Sequence, residues 1–201
     1  MARKVVAIVG TYRKGRTIDS AVDEILKGAE AHGAETVKIN LIDKHVEFCR
    51  NCRSCTQEDD VGVRAECVQE DDMAAILDEV DGADALVLAS PVNFFRATAV
   101  MKRFAERLLV YVYWPWGKGG PKLRIRRPDK KAVTVTSSAC PAFIGRIFIR
   151  APLRLLKMVA RCMGAKVRKS LYFGLAAKSE DATLKKKSLL KAYRAGEQLI
   201  S

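Results

Sequence analysis

Four of the six cysteines lie close together in the first third of the chain. Cys49, Cys52, Cys55 and Cys67 form the pattern C-x₂-C-x₂-C-x₁₁-C. Thiolates at this spacing can hold an iron–sulfur cluster, whereas a structural zinc site more often uses two C-x₂-C pairs. A third interpretation is that these thiols bind no metal and only help to order a loop. The four cysteines are therefore candidate cluster ligands, and the pattern alone does not choose between these interpretations.

A second chemical signal lies between the first predicted strand and the first predicted helix. This segment supplies hydroxyl groups, cationic side chains and a glycine that permits a tight backbone. The residues are Thr11, Arg13, Lys14, Gly15, Arg16 and Thr17. The helix that follows directs free N–H groups and the positive end of its dipole toward the loop. We therefore expect the loop to bind a phosphate group.

The identity of the phosphate ligand is open at this point. The segment does not fit the dinucleotide pattern G-x-G-x-x-G. It approaches the P-loop pattern G-x-x-x-x-G-K-[ST], with Arg16 in place of the lysine. Arginine is not a neutral replacement for that lysine, and no predicted strand ends in an aspartate suited to hold magnesium. A P-loop nucleotide-binding enzyme stays as an alternative.

The composition excludes several classes of protein. The chain has 201 residues, of which 49% are hydrophobic and 29% charged, so it is neither a disordered nor a fibrous sequence. Its apolar runs are shorter than the roughly 18 to 20 residues of a membrane-spanning helix, and its first residues lack the pattern of a secretory signal. Cysteines without such a signal indicate a reducing compartment. We therefore expect a cytoplasmic protein with no membrane span.

The chain is strongly basic. It contains 36 Lys and Arg against 23 Asp and Glu, a formal net charge of +13, and the excess lies mainly after Lys102. Such a charge favours anionic partners, among them nucleotides, nucleic acid or an acidic membrane surface. The basic stretch Arg146–Arg161 could touch a membrane surface, although packing against the core explains its apolar residues better. A basic surface without a specific partner is the alternative.

Apolar periodicity divides the chain into alternating strands and helices. Buried strands are predicted at Lys4–Val9, Thr36–Leu41, Ala83–Ala89, Ala132–Thr136 and Val167–Phe173. Amphipathic helices are predicted at Thr17–Ala31, from Asp71 or Asp72 to Val80, and at Ala97–Leu109, Phe143–Met163 and Ala182–Ile200. His45–Glu70 and Tyr111–Lys130 are predicted loops. The alternation predicts an α/β fold: a doubly wound, five-stranded parallel sheet with helices on both faces, in a single domain spanning residues 1–201.

Three short loops follow strands of this predicted sheet. They are Gly10–Thr17, Ser90–Phe95 and Ser137–Pro141. In doubly wound sheets, ligands bind beyond the carboxyl ends of the strands. We therefore expect the functional site to be built from these three loops.

The order and spacing of these motifs resemble a known family. The segment Ser90–Phe94 reads S-P-V-N-F, and the helix after it carries Lys102, Phe104, Glu106 and Arg107. Upstream lie the cysteine pattern and the sequence C-V-Q-E-D-D-M from residue 67. From residue 3 to about residue 110, the chain resembles the NAD(P)H-dependent FMN reductases of the flavodoxin-like superfamily, including their iron–sulfur flavoprotein branch. The resemblance implies a flavodoxin-like sheet of strand order 2-1-3-4-5.

The resemblance also implies bound FMN and a set of residues that hold it. The FMN phosphate is expected on Thr11, Arg13, Arg16, Thr17 and Ile18. The isoalloxazine edge is expected on the backbone of Pro91, Val92, Asn93 and Phe94, and the third loop, with Ser137 and Ser138, on the other side. Asn93 departs from the family, which usually has a tyrosine there, and this puts the stacking of the ring in doubt.

The implied activity is that of an FMN-dependent NAD(P)H oxidoreductase. Electrons are expected to pass to a small acceptor such as a quinone, a nitro-compound or a flavin. The flavin carries the reaction, so no side chain is assigned a catalytic role. The alternative is an iron–sulfur flavoprotein that acts in electron transfer. A homodimer or homotetramer is expected, and the phosphates of NAD(P)H account for the basic charge without a nucleic-acid partner.

Overall fold

A parallel sheet of five strands forms the centre of the protein. The computed structural model describes residues 2–59, 63–141, 143–145, 149–176 and 182–200. The strands are β1 (Lys4–Val9), β2 (Glu35–Asn40), β3 (Ala85–Ala89), β4 (Lys130–Ser137) and β5 (Ala165–Phe173). They lie in the order β2-β1-β3-β4-β5, and each neighbouring pair is parallel. The predicted fold class and strand order are therefore confirmed.

Five helices of the described chain cover the two faces of the sheet. They are α1 (Thr17–Glu30), α2 (Met73–Asp81), α3 (Ala99–Arg107), α4 (Arg150–Cys162) and α5 (Lys186–Ile200). Helices α1 and α5 pack with Val5, Ala7 and Val9 on one face. Helices α2, α3 and α4 pack with Val6 and Ile8 on the other. The alternating residues of β1 thus enter both cores, which explains why its sequence is apolar throughout.

The helix boundaries differ from the predicted ones for local reasons. A carboxylate caps α2: Asp71 Oδ1 accepts a hydrogen bond from the Met73 N–H at 2.9 Å, while Asp72 makes no such cap. Pro152 lies in the first turn of α4, where its missing N–H costs nothing. Residues 143–145, where this helix was predicted to begin, are helical, while residues 146–148 are outside the described residues. Residues 182–185 precede α5 rather than forming its first turn.

The two long predicted loops contain short pieces of regular structure and pack on each other. A single turn of 3₁₀ helix covers Ser54–Thr56 in the first loop. In the second loop, Val112–Tyr113 pairs with Lys122–Leu123 as an antiparallel hairpin. The backbone N–H of Trp114 donates to the Thr56 carbonyl at 2.9 Å, which joins the two loops. No helix in the described part of the chain is long and apolar enough to cross a membrane.

Two glycines allow α1 and α5 to come into backbone contact. A Cβ atom added at Gly28 would lie 2.1 Å from the Tyr193 carbonyl oxygen. A Cβ atom added at Gly196 would lie 1.9 Å from the Ile25 carbonyl oxygen. Real side-chain atoms cannot approach a carbonyl so closely, so the helices can pack at this distance only with glycine at both positions.

Replacing Gly196 with alanine should lower the free energy of unfolding by about 1 to 3 kcal/mol, because the added methyl group would overlap the Ile25 carbonyl. A decrease in the free energy of unfolding would be informative, because without this overlap alanine is favoured over glycine inside a helix by about 1 kcal/mol. Urea unfolding followed by circular dichroism measures the change.

The matched control is Gly82→Ala at the end of α2, where the new methyl group would make only an ordinary contact at 3.6 Å. This control should change the unfolding free energy by less than about 0.5 kcal/mol. A Gly196→Ala protein as stable as the wild type would contradict the close helix contact.

Candidate functional site

A cavity of about 180 Å³ opens at the carboxyl ends of β1, β3 and β4. All three loops that follow these strands contribute to its lining. The lining residues are Thr11, Arg13, Arg16, Thr17, Ile18, Pro91, Val92, Ser137, Ser138, Ala139, Ala176 and Ala182. The structure therefore brings together nine of the eleven residues predicted to bind the cofactor. Asn93 and Phe94 are the two that it does not bring to this cavity.

The first loop is shaped by its own backbone hydrogen bonds. Gly15 has a φ of +69°, a left-handed conformation that favours glycine, and its N–H donates to Asp19 Oδ2 at 2.7 Å. The hydroxyl of Thr11 accepts a hydrogen bond from the Arg13 N–H at 3.2 Å. Arg16 occupies the cap position of α1, and its side chain makes no capping hydrogen bond. The first amides of α1 are thus not capped by Arg16, as an anion site at a helix start requires.

Buried hydroxyl groups tie the first loop to the second. Thr98 Oγ1 donates to the Gly10 carbonyl at 2.5 Å and accepts from the Met101 N–H at 3.4 Å. Ser90 Oγ accepts from the Thr98 N–H at 3.1 Å and donates to the Pro91 carbonyl at 3.1 Å. Ser90 and Thr98 are completely buried. Each hydroxyl therefore has both a donor and an acceptor partner, which a buried polar group needs.

The second loop turns in a tight hairpin that carries two phenylalanines at its tip. Val92–Asn93 pairs with Arg96–Ala97 in antiparallel fashion. The two residues between them, Phe94 and Phe95, have φ values of 44° and 62°. A turn with positive φ at both central positions usually contains asparagine or glycine. Phe94 is 91% exposed and points away from the core, so the hairpin tip borders the cavity rather than lining it.

The third loop is fixed by a tyrosine from β5. Tyr172 Oη lies 2.7 Å from Ser138 Oγ, which also accepts a hydrogen bond from the Cys140 N–H at 3.2 Å. The backbone of Ser138 bonds at both ends, since its N–H donates to Phe173 O and its carbonyl accepts from Ala176 N–H. The position of Ser138 in the cavity wall is thus set by contacts with the last strand.

Three lining residues were not predicted to bind the cofactor. Ala139, Ala176 and Ala182 are small and apolar, so neither residue type nor spacing signals a role. The backbone of the last two contributes instead: Thr17 Oγ1 lies 3.4 Å from both the Ala176 and the Ala182 carbonyl oxygens. The sequence did contain a weak signal for Ala176, because this residue follows the fifth predicted strand, whose carboxyl end also lies at this edge of the sheet.

Cys55 is half-buried and lies near the other three candidate cysteine ligands. Burial, together with a smaller effect of nearby Cys67, Cys49 and Cys52, raises the pKa of Cys55 to about 11. Cys52 is exposed, and the Ser54 hydroxyl donates to its Sγ at 3.5 Å. That hydrogen bond is the main cause of a lowered pKa at Cys52. Within the described ranges, no three His, Cys, Asp or Glu side chains are arranged as a ready-made metal site.

Two arginines hold the cysteine loop in place. Arg53 lies between the rings of Trp114 and Trp116, with its guanidinium carbon 4.0 Å from each ring centroid. Arg107, which is buried at the end of α3, pairs with Asp71 and donates to Cys67 Sγ at 3.4 Å. Burial alone would lower the pKa of Arg107, but its hydrogen bond to Asp71 raises it, so the guanidinium stays charged beside the thiol.

Comparison with known proteins finds relatives that are similar in sequence and solved structures that are similar in fold. Residues 3–134 match the model of the NADPH-dependent FMN reductase family. An iron-sulfur flavoprotein from Archaeoglobus fulgidus is 37% identical over 116 residues, which is 58% of this chain and 50% of that protein. The chain thus spans about half the length of the relatives that it matches in sequence.

Solved structures establish the fold class. An NAD(P)H:quinone oxidoreductase from Methanothermobacter marburgensis superposes with a TM-score of 0.74 at 18% identity, covering 99% of this chain and 100% of that one. A flavodoxin from the domain Archaea gives a TM-score of 0.56 at 14% identity, covering 98% of this chain and 96% of that one. At such low identity these likenesses concern the fold, which is flavodoxin-like.

Iodoacetamide should alkylate Cys52 well before Cys55 in metal-free protein near neutral pH. The thiolate is the reactive form, and the pKa is lowered at Cys52 but raised to about 11 at Cys55. Alkylation of Cys55 should keep rising about tenfold per pH unit until the pH nears its pKa. Alkylation of Cys52 should level off earlier. Peptide mass spectrometry across a pH series measures both rates, and equal rates at the two cysteines would refute the described environments.

Proposed function

Because this chain belongs to the NADPH-dependent FMN reductase family, we propose that it is an FMN-dependent NAD(P)H oxidoreductase. The observation that carries the proposal is the single cavity lined by all three loops at the carboxyl end of the sheet. Bound FMN would supply the hydride and electron transfer, so the protein has to bind it, orient it and control access to it. The proposed electron acceptor is a small molecule such as a quinone, a nitro-compound or a flavin.

The first loop is the proposed phosphate site. Its proposed phosphate ligands are Thr11, Arg13, Arg16, Thr17 and Ile18. Two cations, two hydroxyls and the start of α1 together suit a phosphate dianion. The cavity lining supports this assignment, since all five residues contribute to it. The family membership favours FMN over the P-loop alternative, in which Arg16 would have to replace an essential lysine.

The other two loops are the proposed isoalloxazine site. Pro91 and Val92 line the cavity from one side, and Ser137 and Ser138 line it from the other. Backbone groups of such loops can hydrogen-bond a flat polar ring and set its electronic properties. Asn93 and Phe94 are proposed to act only from the border of the mouth, because Asn93 cannot stack as the tyrosine of the family would and Phe94 points outward.

The cellular location, oligomeric state and partners of the protein are also proposals. We expect it in the cytoplasm, where the six cysteines stay reduced. We expect a homodimer or homotetramer. We expect no nucleic-acid partner.

Arg16→Ala should weaken FMN binding about ten- to a hundredfold, since a charge-assisted hydrogen bond to phosphate would be lost. Titration of apoprotein with FMN, followed by quenching of flavin fluorescence, measures the affinity. Lys14→Ala is the matched control: it removes the same charge from the same loop, but Lys14 pairs with Asp43 and does not line the cavity. Wild-type protein that neither binds FMN nor oxidises NADPH in its presence would refute the proposal.

A second candidate function is electron transfer through an iron–sulfur cluster. It is favoured by the gathering of Cys49, Cys52 and Cys67 around Cys55 and by the name of the Archaeoglobus fulgidus relative. Four thiolates suit such a cluster, and the Arg107 hydrogen bond to Cys67 would offset part of the negative charge.

Anaerobic reconstitution with iron and sulfide should load the wild-type protein, and Cys55→Ser should abolish loading, because a hydroxyl is a poor substitute for a thiolate ligand. Iron and acid-labile sulfide analysis provides the measurement. Cys162→Ser serves as the control, since Cys162 lies in α4 outside the four-cysteine group. Equal and negligible iron in wild type and Cys55→Ser would remove this second candidate.

A further inference from the structure

The charge of the chain is divided very unevenly along the sequence. Residues 1–110 contain 15 Lys and Arg against 19 Asp and Glu. Residues 111–201 contain 21 Lys and Arg against only four Asp and Glu. A strongly basic segment of this kind attracts extended anionic partners.

The cations of α4 form an exposed row next to the candidate site. Arg150, Arg154 and Lys157 are exposed, and their spacing of four and three residues puts them on one side of the helix. The apolar side of α4 is buried, with Leu156 and Val159 in the core. From residue 130 to residue 179, the sequence contains no Asp or Glu that could neutralise this row.

Exposed apolar side chains lie within a few residues of the segments that line the cavity. Phe94 and Phe95 at the hairpin tip are 91% and 57% exposed, and Phe143 is 75% exposed. Ile144 and Leu175 are also exposed. We call these five residues the apolar rim. Leu175 N–H donates to the Cys140 carbonyl, Phe143 and Ile144 follow Cys140 closely in the chain, and the hairpin strand Arg96–Ala97 contacts α4.

The backbone conformation at the hairpin tip is a second observation that points to a binding role for this rim. Two successive phenylalanines at φ 44° and 62° are strained, because bulky side chains rarely adopt a left-handed conformation. Packing of these side chains into the core does not compensate for the strain, since both are mainly exposed. Strain of this kind is typical of binding segments.

We propose that the apolar rim and the basic row of α4 dock on an anionic lipid surface. Amphipathic surfaces of this type bind membranes by inserting aromatic and aliphatic side chains while cations contact the lipid phosphates. Ile144 and Leu175 cannot stack on bases, which favours lipid over nucleic acid. A second copy placed on the same patch by a two-fold axis would set one basic row against another. Docking in this orientation turns the mouth of the cavity toward the bilayer.

The test is co-sedimentation of the full chain with vesicles of phosphatidylcholine alone and of phosphatidylcholine mixed with phosphatidylglycerol. We expect binding only to the anionic vesicles, and weaker binding as salt is added. Neutralising Arg150 and Arg154 to glutamine should weaken it about fivefold for each cation. Phe143→Ser should weaken it about tenfold or more.

Matched controls lie in residues 1–110, outside the strongly basic part of the sequence. Lys27→Gln with Lys44→Gln removes two exposed cations, and Phe48→Ser removes a phenylalanine that is 67% exposed. These variants should bind anionic vesicles as the wild type does. Absence of vesicle binding at low salt would overturn the proposal, as would equal losses in variants and controls. Binding of single-stranded RNA but not vesicles, or self-association without vesicle binding, would assign the patch to another partner and also overturn it.

Discussion

The buried pair of hydroxyls from Ser90 and Thr98 is the contact on which the candidate site depends. It joins the carboxyl end of β3 to the start of α3 and to the Gly10 carbonyl at the end of β1. Gly10 has to lack a side chain, because a Cβ atom there would lie 2.8 Å from the Met101 Cβ. The two loops that approach the proposed phosphate and ring positions are therefore held at a fixed separation. Breaking the pair would leave polar groups buried without partners.

Helix α3 links this arrangement to the cysteine group. Thr98 caps its first turn at the cavity, and Arg107 at its last turn contacts Cys67 and Asp71. Asp71 in turn caps α2 through Met73. A helix of nine residues thus fixes both places where redox chemistry is proposed. The separation between the cavity and Cys67 is therefore set by a rigid element.

Much of the fold follows from the sequence because its central strands β1 and β3 are apolar on both sides. Runs such as Ala85–Ala89 fit only the interior of a sheet covered on both faces. The loops at the strand ends were also predictable, since cations, hydroxyls and glycine in Gly10–Thr17 suit one kind of ligand. The outward hairpin tip at Phe94 was not predictable, because phenylalanine does not signal a left-handed turn. The contribution of Ala176 comes from its carbonyl group, which every residue type shares.

The contact between Gly28 and Gly196 has a consequence for synthesis of the protein. Helix α1 follows the first strand, yet it packs against α5, which is the last helix of the structure. Tyr172 on the last strand likewise fixes the third loop. On the ribosome, the first helix emerges long before its packing partner. The nascent chain therefore cannot form a complete cavity, and uptake of the proposed FMN has to follow translation of α5.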